Sequence, residues 1–150
     1  MKLFRSNKKP KRYLVLADGS ATASVVAALL SAEGESVLTV SARQEDLEQL
    51  TSRYDGYAML GDVTDPDVLE KAQVAQAYTL IVATDDDNKN MMLAQLAKEI
   101  YGVDHVIALI NDSTRQSVYR SFGIPSYNPK LLPPREIIRQ IIEPERAYSV

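Results

Sequence analysis

The stretch Tyr13-Leu14-Val15-Leu16-Ala17-Asp18-Gly19-Ser20-Ala21-Thr22-Ala23-Ser24-Val25-Val26 joins a short apolar run to a turn built on one glycine, and then to a segment of helical period. The unbroken apolar run at 13–17 fits a strand covered on both faces, as in a parallel sheet. Val25, Val26, Leu29 and Leu30 then fall on one side of a helix over 21–32, which Gly34 ends. Strand, tight turn and helix in that order make the first half of a βαβ unit.

The alternation continues downstream. A second strand at 37–40 leads to a helix over 45–53 with Leu47, Leu50 and Tyr54 on one side, and a short third strand falls at 58–60. Asp65-Pro66 opens the next helix with a capping carboxylate and a proline in the first turn. A fourth strand at 79–83 precedes a helix over 87–101 that should bury Met92, Leu93, Leu96, Ala97 and Ile100 before Gly102 stops it. A fifth strand at 106–110, a helix over 113–122, a short sixth strand at 124–127 and a last helix opened by Pro133-Pro134 complete the pattern. Ile137, Ile138, Ile141 and Ile142 make that last helix too apolar for a free tail, so it docks on its own domain or on another chain.

Right-handed crossovers then give an α/β, Rossmann-like doubly wound parallel six-stranded sheet of order 3-2-1-4-5-6. Ligands of such sheets sit outside the carboxyl ends of the strands, where the order reverses between strands one and four.

A chain of 150 residues with 45% apolar and 25% charged residues suits one globular domain with one sizeable core. The expected organisation is a basic arm at 1–12, the Rossmann-like domain at 13–143 and a tail at 144–150. No apolar stretch approaches the roughly 18 residues of a membrane span, and the first 12 residues lack the apolar middle of a secretion signal. Zero cysteines exclude disulfides and thiolate chemistry and fit a reducing cytoplasm. Lys2, Arg5, Lys8, Lys9, Lys11 and Arg12 place six of the 17 cations in the arm, which could touch anionic lipid, a partner or nucleic acid, although such termini are commonly solvated. A net charge of −3 argues against nucleic-acid binding as the main task.

Four clusters at the carboxyl rim carry whatever chemistry there is. In the first, a dinucleotide fingerprint would place glycines where the backbone bends, approaches the pyrophosphate and packs helix on strand. Ala17, Asp18, Gly19, Ser20, Ala21 and Thr22 occupy that stretch, and only Gly19 keeps a glycine, at the point of closest phosphate approach. Asp18 adds negative charge there, while the helix amino terminus stays open to an anion. In the second, Ser41 stands where an acid normally takes the ribose hydroxyls, followed by Ala42 and Arg43; Ser41 offers one hydrogen bond and Arg43 a phosphate contact, or both are ordinary loop residues.

In the third, Asp62 could accept from an adenine amino group while Val63 packs on the ring, or simply precede the Asp65-Pro66 helix start. In the fourth, Thr84 and Asn88 flank a run of acids, Asp85, Asp86 and Asp87, that could hold a cation or contact ribose; such acids more commonly cap a helix. His105, the sole histidine, precedes a strand and lacks a relay or metal partner. The chain has no Tyr-x-x-x-Lys pair, no Gly-x-Ser-x-Gly elbow and no Gly-Lys-Ser/Thr phosphate loop, so catalysis lacks a candidate residue.

Gly61-Asp62-Val63-Thr64, the run from Ile81 to Asn88, Asn111-Asp112 and Asn128-Pro129-Lys130-Leu131-Leu132 together resemble the N-terminal domain of TrkA/KtrA-type potassium-transport regulators, also called RCK or KTN domains, over residues 13–142. The resemblance implies a cytoplasmic regulatory subunit, peripheral to the membrane, that forms homodimers or rings beneath a potassium channel or transporter. It also implies an adenine nucleotide, NAD(H), ATP, ADP or AMP, in the crevice. By position the glycine-rich turn falls on Ala17, Gly19 and Thr22, the ribose acid on Ser41 and the adenine loop on Asp62 and Val63. It implies further a last helix that crosses to a neighbouring subunit, and a second ligand-binding domain that a separate chain could supply. Two alternatives stand beside the nucleotide sensor: a structural partner in a hetero-oligomeric ring, favoured by Asp18, Thr22 and Ser41, and an NADP-dependent oxidoreductase resting on Arg43.

Overall fold

The computed structural model describes residues 11–50 and 54–148, the last five by backbone alone. Most of the expected basic arm, the end of the second helix at 51–53 and the final two residues lie outside the described residues. The described residues build six parallel strands, β1 Arg12–Leu16, β2 Ser36–Ser41, β3 Tyr57–Leu60, β4 Thr79–Val82, β5 His105–Leu109 and β6 Ser126–Tyr127. Their order in the sheet is β3-β2-β1-β4-β5-β6, as expected. Leu16 pairs with Val40 on one side and Val82 on the other, so Ala17 and Asp18, Ser41, and Ala83 and Thr84 all emerge at one rim.

Helices α1 Ala21–Ala32 and α6 Pro134–Tyr148 cover one face. Helices α3 Pro66–Lys71, α4 Asp87–Glu99 and α5 Gln116–Ser121 cover the other. The five-residue α2, Gln44–Glu48, follows β2 at the rim. Tyr13, Val15 and Ile81 point to the α1 and α6 side, while Leu14, Leu16, Leu80 and Val82 point to the other, which is why these strands read as continuous apolar runs.

The isoleucine stripe is covered within the chain. Ile137, Ile138, Ile141 and Ile142 pack with Val26, Ala27 and Leu30 of α1 and with Ile81 and Ile107 of the sheet. At about 2 kcal/mol for each buried isoleucine, this burial favours docking on the chain's own sheet by several kcal/mol. Crossing to a neighbour, which the resemblance implied, is not needed to bury the stripe.

Two helices sit at a different rotation from the one their apolar residues suggested. Helix α4 turns Asn90, Leu93, Ala94 and Ala97 inward, leaving Met92 and Ile100 48% and 72% exposed rather than buried. Helix α1 buries Ala23, Val26, Ala27 and Leu30, and Val25 faces outward. In each case small residues take the inner positions because they let the helix approach the sheet closely. The expected helix over 113–122 is a 3₁₀ turn, Ser113–Arg115, followed by α5, and Ile124 is a core residue ahead of a two-residue β6.

Candidate functional site

The turn after β1 is the centre of the rim. Gly19 has φ +74°, a left-handed conformation that only glycine adopts at little cost. A side chain there would also meet the Asp85 carboxylate and would lie 2.8 Å from Arg43 Nη1. Ser20 caps α1, its hydroxyl accepting from the Ala23 amide at 3.2 Å. Ala21 and Thr22 follow in the open first turn, where helix amides have no partner inside the helix.

Asp18 does not stand free over this turn as the sequence suggested. It is buried and reaches to the end of β2, where its Oδ1 accepts from the Ala42 amide at 2.9 Å and faces the Ser41 hydroxyl at 3.1 Å. Lys89 Nζ lies 3.7 Å from Asp18 Oδ2. The charge that would repel a phosphate is thus tied aside by an amide and partly offset by an ammonium group.

A second carboxylate, which the motif reading passed over, completes the network. Asp46 of α2 is buried, and its Oδ2 accepts from the Gly19 amide at 2.8 Å and from the Ser41 hydroxyl at 2.7 Å. The Asp46 backbone carbonyl accepts from Ser24 Oγ of α1 at 3.2 Å, which holds α2 against α1. Ser41 Oγ in turn accepts from the Arg43 amide at 3.0 Å. Ser41 therefore acts as the hub between two acids in place of being an acid itself. No spacing rule points to Asp46, because it sits on a helix beyond the strand end.

On the other side of the crevice, Thr84 is buried with Asn90. Asn90 Oδ1 accepts from the Thr84 amide at 2.9 Å and from its hydroxyl at 2.7 Å, while Asn90 Nδ2 donates to the carbonyls of Thr84 and Leu109, each at 3.1 Å. The Thr84 hydroxyl is thus engaged by Asn90 and by the backbone of Asp86. The amide of Asp85 donates to the Asp18 carbonyl at 2.9 Å, and its carboxylate lies over Gly19.

The other two acids of the run hold backbone. Asp86 caps α4 through the Asn88 and Lys89 amides, and Asp87 accepts from the amides of Asn111 and Asp112 at 2.8 and 2.9 Å. Among the described residues no group of acids and histidines is placed to hold a metal ion. Asn88 accepts from Arg115 at 2.6 Å, which turns it towards α5.

At the β3 end, Val63 is wholly buried in the core and presents no face to an adenine ring, correcting that expectation. Asp62 is exposed, and its Oδ1 accepts from the Thr64 amide and hydroxyl at 2.8 and 2.7 Å. Those hydrogen bonds, and more weakly the charge of Lys89, hold its carboxyl below the usual value of 3.8. His105 begins β5 at the amino edge of the sheet, its ring tilted against that of Tyr78 with centroids 4.9 Å apart, and far from the rim.

The rim thus gathers Asp18, Gly19, Ser41, Ala42, Arg43 and Asp85 of the expected residues, and adds Asp46 and Lys89. The profile of the TrkA-N domain matches residues 13–127, from the first strand to the last. The chain belongs to the TrkA-N domain family.

A similar curated TrkA-N protein is the Trk system potassium uptake protein TrkA of Streptomyces coelicolor, 29% identical over 114 residues, covering 76% of this chain and 51% of that protein. The chain spans about half the length of such relatives. Among solved structures, the TrkA-N domain of the inner membrane protein ybaL from Escherichia coli superposes with TM-score 0.66 at 17% identity, over 87% of this chain and 94% of that one. A Shewanella denitrificans Kef CTD in AMP bound form gives TM-score 0.63 at 24% identity, over 77% and 70%. These structural likenesses establish the fold.

Proposed function

We propose that this TrkA-N domain is a cytoplasmic regulatory component of a potassium uptake channel or transporter, which senses an adenine nucleotide at the rim between β1 and β4. The observation that carries the reading is the meeting of Arg43 and Lys89 around the glycine turn. Arg43 comes from the β2 side, with Nη1 next to Gly19, and Lys89 from α4, with Nζ 3.7 Å from Asp18. Together with the open first turn of α1 they supply the cationic and amide donors that a nucleotide phosphate requires. The AMP named with the Kef structure supports an adenine nucleotide, as NAD and ADP named with GsuK structures do.

The function is binding rather than catalysis: the rim carboxylates and the Ser41 hydroxyl are engaged with one another and with backbone amides. A nucleotide changes transport only by favouring one assembled conformation over another, so the domain works through a homo-oligomer and a membrane potassium-transport partner. No helix among the described residues is long and apolar enough to cross a membrane, consistent with a peripheral role.

A second reading has an observation of its own. The Gly19 amide is already bonded to Asp46, which favours a domain that completes a hetero-oligomeric ring without taking nucleotide. Purification of the native complex from membranes tests the transport role. Co-purification with a potassium-conducting membrane protein is expected, and a chain that purifies alone under gentle extraction contradicts it.

A further inference from the structure

We propose that the outer face of α1 is a two-fold interface, at which α1 of one copy of this chain packs antiparallel against α1 of a second. The inference rests on the homo-oligomeric part of the reading above and names the surface that forms the oligomer.

Helix α1 carries no charged residue from Ala21 to Ala32, although one side of it looks outward. Ala21, Val25 and Ala32 are exposed, Val25 to 46%, and Ala28 and Leu29 are half-buried beside them. A surface helix ordinarily turns charged and polar residues to water, as α6 does with Arg135, Arg139 and Gln140. The bare side of α1 instead lines a groove of about 920 Å³, which Ile138 of α6 and Gln49 beyond α2 help to bound.

The two ends of this groove carry opposite charges. Helix α1 follows the carboxyl end of β1 and α6 follows that of β6, so both start at the carboxyl rim. Arg135, in the first turn of α6, lines the end where α1 begins, and Glu33 lines the end where α1 stops. At 12 residues α1 is about 18 Å long, so the two charges lie well apart. Among the described residues neither side chain makes an ion pair.

That charge pattern selects the occupant. A second copy related by a two-fold axis lays its α1 antiparallel on the first and brings Glu33 of each to Arg135 of the other, so one favourable contact is made twice. With Ala21 of each helix level with Ala32 of the other, Val25 of each meets Ala28 of the other. A larger side chain then faces a smaller one, which lets the helices interdigitate. A parallel pairing would set like charges together, and an anionic membrane surface would meet Glu33.

The test is sedimentation velocity of the full chain over a range of concentrations. The wild-type protein is expected to form a reversible dimer. Arg135→Glu or Glu33→Arg alone sets like charges together at both symmetry-related ends and should raise the dissociation constant at least about tenfold, and the double variant should recover most of the loss. Each reversal suits its own helix, an acid in the first turn of α6 and a base at the end of α1, so weaker association would not come from unfolding. Val25→Glu puts a charge at the centre of the face and should abolish the dimer with the circular dichroism spectrum unchanged. Because the chain has no cysteine, Val25→Cys supplies a single thiol, and a short bismaleimide should link it into covalent dimers.

A wild-type protein that stays monomeric at every concentration overturns the inference and the homo-oligomeric reading with it. A dimer that tolerates Val25→Glu and both charge reversals overturns the inference alone, since assembly then uses another face. A double reversal no tighter than the single ones rejects the antiparallel pairing. A Val25→Cys thiol that reacts freely in the isolated protein and is shielded only when a membrane protein co-purifies assigns the face to that protein and likewise overturns the inference.

Discussion

Replacing Asn90 by alanine should unfasten the rim more than any other single change on α4. Asn90 is completely buried and joins the ends of β4 and β5 to the first turns of α4 through four hydrogen bonds, three to Thr84 and one to the Leu109 carbonyl. The Thr84 amide can only donate, which fixes the Asn90 oxygen towards it and directs the nitrogen to the carbonyls. In Asn90→Ala the Thr84 amide and the Thr84 and Leu109 carbonyls lose these partners in a region closed to water. At the low end of about 1 kcal/mol for each buried group left without a partner, the loss is about 3 kcal/mol. For a domain of this size that lowers the melting temperature by roughly 6–12 °C. Asn90→Asp is expected to do no better at neutral pH, because it keeps the acceptors, loses both donors and buries a charge. Thermal melts followed by circular dichroism decide the matter. If both variants melt within about 2 °C of the wild-type protein, Asn90 does not hold the rim.

Ile137→Ala should cost about 3 kcal/mol from the cavity left at a fully buried site, with the same loss relative to the wild-type protein at every protein concentration, since α6 docks on its own chain; a loss that grows on dilution would place that helix on a neighbour. In Thr64→Val one of the two hydrogen bonds that hold the Asp62 carboxyl low disappears, so its titration followed by NMR should move up towards 3.8. Because the folded-state value is depressed, the stability tied to Asp62 is present above the unfolded value and lost as pH falls through the folded one; an unchanged titration would reject the Thr64 contact. Burial and then the nearby Asp87 push the Tyr119 hydroxyl up to about 12 from 10.0, so the unfolded chain ionises first and stability should fall from pH 10 towards 12. Tyr119→Phe should flatten that decline in alkaline melts, and an unchanged slope would contradict the assignment.

The sheet was legible in the sequence because its strands are covered on both faces, so apolar runs such as 13–17 and 79–83 stand out without any phase to choose. Helix rotation was less so. In α4 the inner arc is Asn90, Leu93, Ala94 and Ala97; a polar residue at one inner position and small ones at two others hide it, while Met92 and Ile100 draw the eye to the wrong side. The rim was legible as a place and only partly as a set of contacts. Gly19 and Arg43 do meet, yet Val63 belongs to the core and Thr84 to Asn90. Asp46 was invisible because nothing in its spacing relates it to Gly19, 27 residues away; only the short α2, packed on Ser24, brings them together.

Calorimetry of the purified protein with ATP, ADP, AMP, NAD+ and NADH tests whether this rim takes an adenine nucleotide. The expected result is saturable heat with at least one of them, abolished in Gly19→Ala, where a methyl group would meet Asp85 and Arg43 on a backbone of φ +74°. Absence of heat from all five at millimolar concentration would contradict it.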